Sequence, residues 1–257
     1  MADLFDTLAA TPASGPRPLA DRLRPRRLAD VVGQEKVLSR DGPLGAMLAA
    51  GSLSSLILWG PPGVGKTTIA RLLADETDLA FVQISAIFSG VPELRKVFET
   101  AKIRRQNGQG TLLFVDEIHR FNKAQQDGFL PHMEDGTILL VGATTENPSF
   151  ELNAALLSRA QVIVLDRLDL ADLERLAQRA EQELGRALPL KGEAREALLE
   201  MADGDGRALI NLIEQIAAWK TDAPLDRDQL SQRLMRRAAK YDKSGDEHYN
   251  LISALHK

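Results

Sequence analysis

Phosphate chemistry needs backbone donors that approach an anion closely, a cation, and carboxylates that hold a metal or move a proton. The segment GPPGVGKT, Gly60 to Thr67, supplies the first two. Gly60, Gly63 and Gly65 free the backbone around Pro61, Pro62 and Val64 to turn its N–H groups towards phosphate. Lys66 then reaches the β and γ phosphates, and the Thr67 hydroxyl, with Thr68 beside it, ligates Mg²⁺. A chance G-x-x-x-x-G-K-[ST] arises in roughly one chain of this size in a hundred. A strand-like run before it and a helical pattern after it strengthen the reading.

The carboxylates come from LLFVDE, where Asp116 and Glu117 close an apolar run; adjacent acids at a buried strand end are either paired or at work. Asp116 is expected to hold the Mg²⁺ shell, and Glu117 to orient and deprotonate the attacking water. Glu117 therefore favours hydrolysis over a nucleotide switch. The next strand ends in GATTENPS, and Thr145 is the expected contact to the γ-phosphate or the water, with Thr144 and Asn147 as alternatives. The competing reading of Thr145 is a cap on the following turn. Arg159 precedes the fifth strand, and Arg207 lies in GDGR at a helix start. A guanidinium stays charged and matches phosphate oxygens, but a lone Arg is usually solvated, so position must decide its role. His119, His132, His248 and His256 lack metal-ligand spacing and read as solvated or capping side chains.

Holding these groups takes repeated βα units. Strands are predicted at 55–59, 80–84, 111–116, 137–143 and 161–166, with helices at 67–77, 92–107, 123–134 and 151–159. The expected fold is α/β: a five-stranded parallel sheet flanked by helices. Beyond Asp166 four helical segments follow, at 169–185, 192–202, 206–220 and 226–240. Leu173, Leu176, Ala177 and Ala180 form one apolar stripe, and Leu209, Leu212, Ile213 and Ile216 another, which predicts a small all-helical domain. The domains read as a flexible leader over 1–18, rich in Pro and Gly, an α/β nucleotide-binding domain over 19–167 and a helical lid over 168–240.

Composition narrows the chemistry further. The 257 residues include no Cys, which excludes disulfides, thiol nucleophiles and Cys-ligated metals and fits a cytoplasmic location. No apolar run approaches the ~20 residues that span a bilayer. Aromatics at 5% are thin for a stacking-based single-strand binder, and a net charge of −4 means that nucleic acid must be met by a local basic face or a ring of subunits.

Together the segments RLRPRRLADVVGQ, GPPGVGKTT, VDEIHRFNKAQQD, GATTENPSFELNAALLSRA, GDGRALINLIE and YDKSGDEHYNLISALHK resemble the AAA+ ATPases, and within them the replication-associated recombination protein A family, relatives of the Werner-helicase-interacting ATPase and of clamp loaders. The resemblance runs from about Leu19 to Lys257. It implies a P-loop AAA+ core with a helical lid, and ATP with Mg²⁺ as cofactors. Val31, Val32 and Gly33 would lie against adenine, Arg159 would be an arginine finger reaching a neighbouring subunit, and Arg207 a sensor arginine acting within its own subunit. It further implies ATP hydrolysis coupled to DNA at stalled forks, gaps and ends, with single-strand-binding protein as a partner and a nucleoid-associated location. Family members continue past the HYNLISALHK segment into a tetramer-forming domain, so 241–257 reads as the start of that domain and this chain is expected to assemble weakly.

Basic residues Arg95, Lys96, Lys102, Arg104 and Arg105, with Arg120 and Lys123, are the candidate phosphate-backbone contacts; a solvated helix face balanced by Glu93 and Glu99 is the competing reading. Other functions compatible with the chain are a nucleotide-gated interaction module of the replisome, a Holliday-junction or clamp-loader type motor, and a small-molecule P-loop kinase. The acidic pair, the lid and the two arginines argue against the kinase.

Overall fold

A computed structural model describes residues 17–221 and 223–241. Five parallel strands, β1 (Leu56–Trp59), β2 (Ala80–Ser85), β3 (Thr111–Asp116), β4 (Leu139–Thr144) and β5 (Gln161–Val164), form one sheet in the order β2-β3-β4-β1-β5. Side chains alternate between its faces. Leu56, Leu58, Leu112, Phe114, Val141 and Ala143 enter one apolar core; Ile57, Leu113, Val115 and Leu140 enter the other. Burial on both faces explains why these strands are continuous apolar runs.

Helices close both faces. The first helix, α1 (Leu19–Arg22), packs instead on the helical part described below; on the first face lie α2 (Glu35–Leu38), α3 (Pro43–Ala49) and α4 (Lys66–Glu76), of which α3 and α4 put Leu44, Ile69 and Leu73 into the core. The second is covered by α5 (Val91–Gln106), α6 (Lys123–Asp127), α7 (Leu130–Glu134), α8 (Pro148–Glu151) and α9 (Ala154–Leu157). The helix expected over 123–134 is two helices, and so is the one over 151–159. Asn147 and Asn153 each accept a backbone N–H at the start of α8 and α9, and Gly128 ends α6 before Pro131 enters the first turn of α7, which favours short helices over one long one. The helices α1 to α3 had no sequence prediction.

Gly142 in the middle of β4 is a packing requirement. A Cβ there would stand 2.8 Å from Ile57 and 2.9 Å from Ile118. Its absence lets Ile118, fully buried, bring the short 3₁₀ turn Ile118–Arg120 down onto β4.

After β5 come α10 (Leu170–Leu184), α11 (Gly192–Ala202), α12 (Gly206–Ala217) and α13 (Arg227–Tyr241). Leu173, Ala177 and Ala180 pack against Leu198, Leu209, Ile213 and Ile216 in a third core, joined by Leu19 from the chain's other end. Asp169 and Asp172 form a capping box at the start of α10, and Gly185 ends it in a left-handed conformation. Among the described residues no helix is long and apolar enough to cross a membrane. The expected leader over 1–18, apart from Arg17 and Pro18, and the expected segment 241–257, apart from Tyr241, lie outside the described residues.

Arg195 on α11 ties the lid together, reaching Glu174 at 2.8 Å and Glu181 at 2.9 Å on α10, with all three side chains less than a third exposed. The guanidinium holds the Glu174 carboxyl below the usual glutamate range, against the opposing effect of burial. A depressed carboxylate stabilises the fold above its unfolded pKa of about 4.3 and stops doing so as pH falls through its folded value. Arg195→Met is therefore expected to cost about 1–3 kcal/mol at pH 7, or roughly 3–10 °C in Tm, with the gap to the wild type closing below about pH 4. Thermal unfolding followed by circular dichroism across pH 3–7 checks both parts.

Candidate nucleotide site

The loop leaving β1 is anchored before it turns: Gly60 N–H donates to the Thr144 carbonyl at 3.2 Å. Gly63 and Gly65 then take φ of +70° and +101°, a region costly for residues with a Cβ, and α4 begins at Lys66. Val64 points into the core, which fixes the loop from below; Pro62 is exposed and Pro61 half-buried. Lys66 is buried, and its Nζ donates to the carbonyls of Gly60 at 2.7 Å and Pro61 at 2.8 Å. Burial pulls its ammonium below the usual lysine range; Glu117, Asp116 and Asp205 oppose that shift and Arg207 adds to it. Four charged groups from β3 and the lid thus act on one ammonium. Thr67 and Thr68 stand half-buried on the first turn of α4.

Asp116 ends β3 and Glu117 follows it, with β4 between them and the phosphate-loop strand. Glu117 adopts a left-handed backbone, φ +53° and ψ +45°, which costs a non-glycine residue on the order of 1–3 kcal/mol. Its carboxylate lies 3.2 Å from His119 Nδ1, and the same nitrogen lies 2.9 Å from the Thr144 hydroxyl. His119 is 6% exposed, so it is neither a solvated nor a capping histidine as its spacing implied. His132 also departs from that reading, with its ring stacked 4.0 Å from Phe98; His248 and His256 lie outside the described residues. Of the three polar residues ending β4, Thr144 is buried in this network, Asn147 caps α8, and Thr145 stands half-buried between them.

Val31 and Val32, both 6% exposed, run beside the loop, and a Cβ on Gly65 would lie 3.8 Å from Val31. The next residue, Gly33, has φ +79°, and a Cβ there would strike Leu168 at 2.4 Å and Asp172 at 2.7 Å. Gln34 was not singled out by sequence. Buried at 1% exposure, its amide donates to the Asp166 carbonyl at 2.8 Å and accepts from the Asp166 N–H at 3.2 Å, which clamps the valine segment to the lid connection.

The lid reaches the loop directly. Asp205 caps α12 by accepting the Ala208 N–H, and its carboxylate fills the space where a Gly63 side chain would be, 1.8 Å from that Cβ position. Arg207, exposed on the first turn of α12, stands over the same region. Arg159 does not. It precedes β5, whose first residue pairs with the start of β1, so the length of β1, about 13 Å, separates it from the phosphate loop. Its guanidinium is held by Glu134 at 2.6 Å and by the Ala155 carbonyl at 2.9 Å.

Among the described residues no three His, Cys, Asp or Glu side chains converge as a metal cage. The Thr67 hydroxyl and the Asp116 carboxylate are hard oxygen donors, and two protein ligands completed by phosphate oxygens and water suit Mg²⁺. The residues therefore fit that ion.

A phosphate loop between β1 and α4, an acidic pair one strand removed, and a helical lid resting on the loop define the P-loop AAA+ ATPases. Residues 56–168 match the ATPase family associated with various cellular activities (AAA), and residues 184–257 match the AAA C-terminal domain. Replication-associated recombination protein A of Escherichia coli (strain K12) is 46% identical over 251 residues, covering 94% of this chain and 56% of that protein. ATPase WRNIP1 of Dictyostelium discoideum is 41% identical over 264 residues, covering 93% of this chain and 30% of that protein. A solved Thermotoga maritima RuvB Holliday junction branch migration motor superposes with a TM-score of 0.67 at 27% identity, covering 91% of this chain and 85% of that one. The chain is similar to replication-associated recombination protein A over nearly its whole length, and it spans about 56% of the length of such relatives.

Lys66→Met removes the only cation buried at the loop among the described residues. It is expected to weaken binding of a fluorescent ATP analogue by about tenfold or more, the loss of one charge-assisted phosphate contact, while leaving Tm within about 3 °C. Equilibrium fluorescence titration and a melting curve check it.

Proposed function

We propose that the chain is the ATP-hydrolysing part of a DNA-coupled protein that acts at stalled replication forks, gaps and ends in recombination and repair, within the cytoplasm and at the nucleoid. The observation that carries hydrolysis is the convergence of Asp116, Glu117 and the lid's Arg207 on the buried Lys66. Backbone N–H groups of Gly60 to Gly65 and the Lys66 ammonium hold the phosphates, and Val31 and Val32 wall the base. Thr67 and Asp116 would hold Mg²⁺, which would supply charge neutralisation for the phosphates. Glu117 takes the proton of the attacking water, Thr145 orients that water or the γ-phosphate, and Arg207 stabilises charge from the lid.

Arg159 serves a second copy of the chain. Its place at the opposite end of β1 supports a homo-oligomer, a tetramer by family resemblance, in which each site is completed by a neighbour's guanidinium. DNA coupling rests on the family and on the exposed Arg95, Lys96, Lys102 and Arg105 of α5, with Arg120 and Lys123 exposed beyond β3. Single-strand-binding protein is the partner the family suggests. The likeness to the RuvB motor favours a second reading, a branch-migration type machine, over a nucleotide-gated interaction module.

Glu117→Gln is expected to retain ATP binding and lose turnover by roughly 10²-fold or more, measured as phosphate release. A nucleotide-gated module would instead keep its function in that variant. Gapped or forked DNA is expected to raise ATP turnover, with DNA affinity falling steeply between 50 and 200 mM salt and little base preference, as phosphate contacts require. Fluorescence anisotropy at several salt concentrations reads this; a salt-independent, sequence-selective affinity contradicts it.

A further inference from the structure

Nothing in the Glu117 backbone fixes its carboxylate: three side-chain torsions separate it from Cα, and 27% of the side chain is exposed. What holds it is a buried network. The Thr144 hydroxyl lies 3.2 Å from the Glu146 carbonyl and 3.0 Å from the Glu146 N–H. It donates its one proton to the carbonyl and accepts from the N–H. His119 Nδ1 therefore faces two acceptors, that hydroxyl at 2.9 Å and the Glu117 carboxylate at 3.2 Å. An ionised carboxylate has no proton to give, so this donor–acceptor balance assigns the ring proton to Nδ1. His119 belongs to the Ile118–Arg120 turn that Gly142 admits, and Thr144 in turn accepts the Gly60 N–H through its carbonyl. A continuous path runs from the phosphate loop through the end of β4 and His119 to Glu117.

We propose that His119 is the positioning residue of the hydrolytic base: its Nδ1–H ties the Glu117 carboxylate to the Thr144 end of β4, so the base is set by the same strand end that anchors the phosphate loop. This rests on the reading of Glu117 as the base. His119 touches neither the phosphates nor the water. It limits the arc through which the carboxylate swings, as a group that orients a catalytic side chain does in other hydrolases.

The test uses the whole chain, with ATP and Mg²⁺. His119→Ala is expected to lower kcat about 10- to 100-fold, the usual effect of losing a group that orients a catalytic side chain. KM and the affinity for a fluorescent ATP analogue should stay within about twofold, since the loop and Lys66 are untouched. His119→Asn places an amide donor where Nδ1 stands and should recover most of the rate. His119→Gln places its donor near the Nε2 position and should not. In a Glu117→Gln background, His119→Ala should change the residual rate by less than about twofold, because the group it positions is already gone. If Ala at 119 unfolds the domain, the Asn and Gln variants decide the matter alone. An unchanged kcat in His119→Ala, equal rescue by Asn and Gln, or a full additional loss in the Glu117→Gln background would each overturn the proposal. Undiminished turnover in Glu117→Gln alone would overturn the base itself, a separate failure visible without touching His119.

Discussion

The pairing of β1 with β4 is the constraint on which the site depends. Trp59 stands opposite Thr144, and the ladder ends with the Gly60 N–H on the Thr144 carbonyl. That last bond belongs to the sheet and to the phosphate loop at once. A register slip of one residue would turn every side chain of β4 to the other face, moving Val141 and Ala143 out of the core they fill and Thr144 into it. The same slip would carry away Gly142 and with it the space that Ile118 needs. The apolar alternation of the sheet and the chemistry of the loop are therefore held by one set of hydrogen bonds.

The lid is coupled by glycines in a second way. Gly33, Gly63 and Gly206 each stand where any side chain would meet the other part of the molecule: Leu168 and Asp172 for Gly33, Asp205 for Gly63, and the Gly63 carbonyl, 3.2 Å away, for Gly206. Gly33 and Gly63 also take positive φ. Close approach of backbone to backbone makes the loop sensitive to the angle of α12. Ion pairs span the same seam at Arg167 with Asp203 and at Arg175 with Glu35. These are largely exposed and contribute little each, so the close approach of Gly33 to Leu168 and of Gly206 to the Gly63 carbonyl holds the two parts together more than the ion pairs do.

Much of this was legible in the chain, and what was not has a physical reason. The five strands were readable because both faces are buried, leaving apolar runs bounded by turn residues. The phosphate loop and the acidic pair are local patterns, each complete within eight residues. The break within 123–134 was signalled by Gly128 and Pro131, whereas the one before Ala154 is marked only by the Asn153 cap. Helices α1 to α3 have four to seven residues, too few for a period to show. Gln34 and His119 escaped because their roles lie in partners far along the chain, Asp166 and Thr144, which only the folded sheet brings close. A buried histidine and a solvated one look alike in sequence.

The two arginines show how far strand geometry carries a functional argument. Arg207 lies on the side of the lid that meets the same chain's loop, because Asp205, which caps α12, stands against Gly63 and the Arg207 charge is felt at Lys66. Arg159 is bound to the other end of the sheet by the pairing of Gln161 with Leu56, and no rotamer of a side chain about 7 Å long spans a strand about 13 Å long and returns to the loop. Its role in phosphate chemistry therefore requires a second protomer. Within one chain its charge is met by Glu134, exposed beside it. An exposed pair of this kind is held by no more than about 1 kcal/mol, small against a charge-assisted contact to phosphate in a closed interface. On the proposed reading, a neighbour's γ-phosphate would displace Glu134 at little cost, and assembly rather than any movement within the chain would be the step that completes the site.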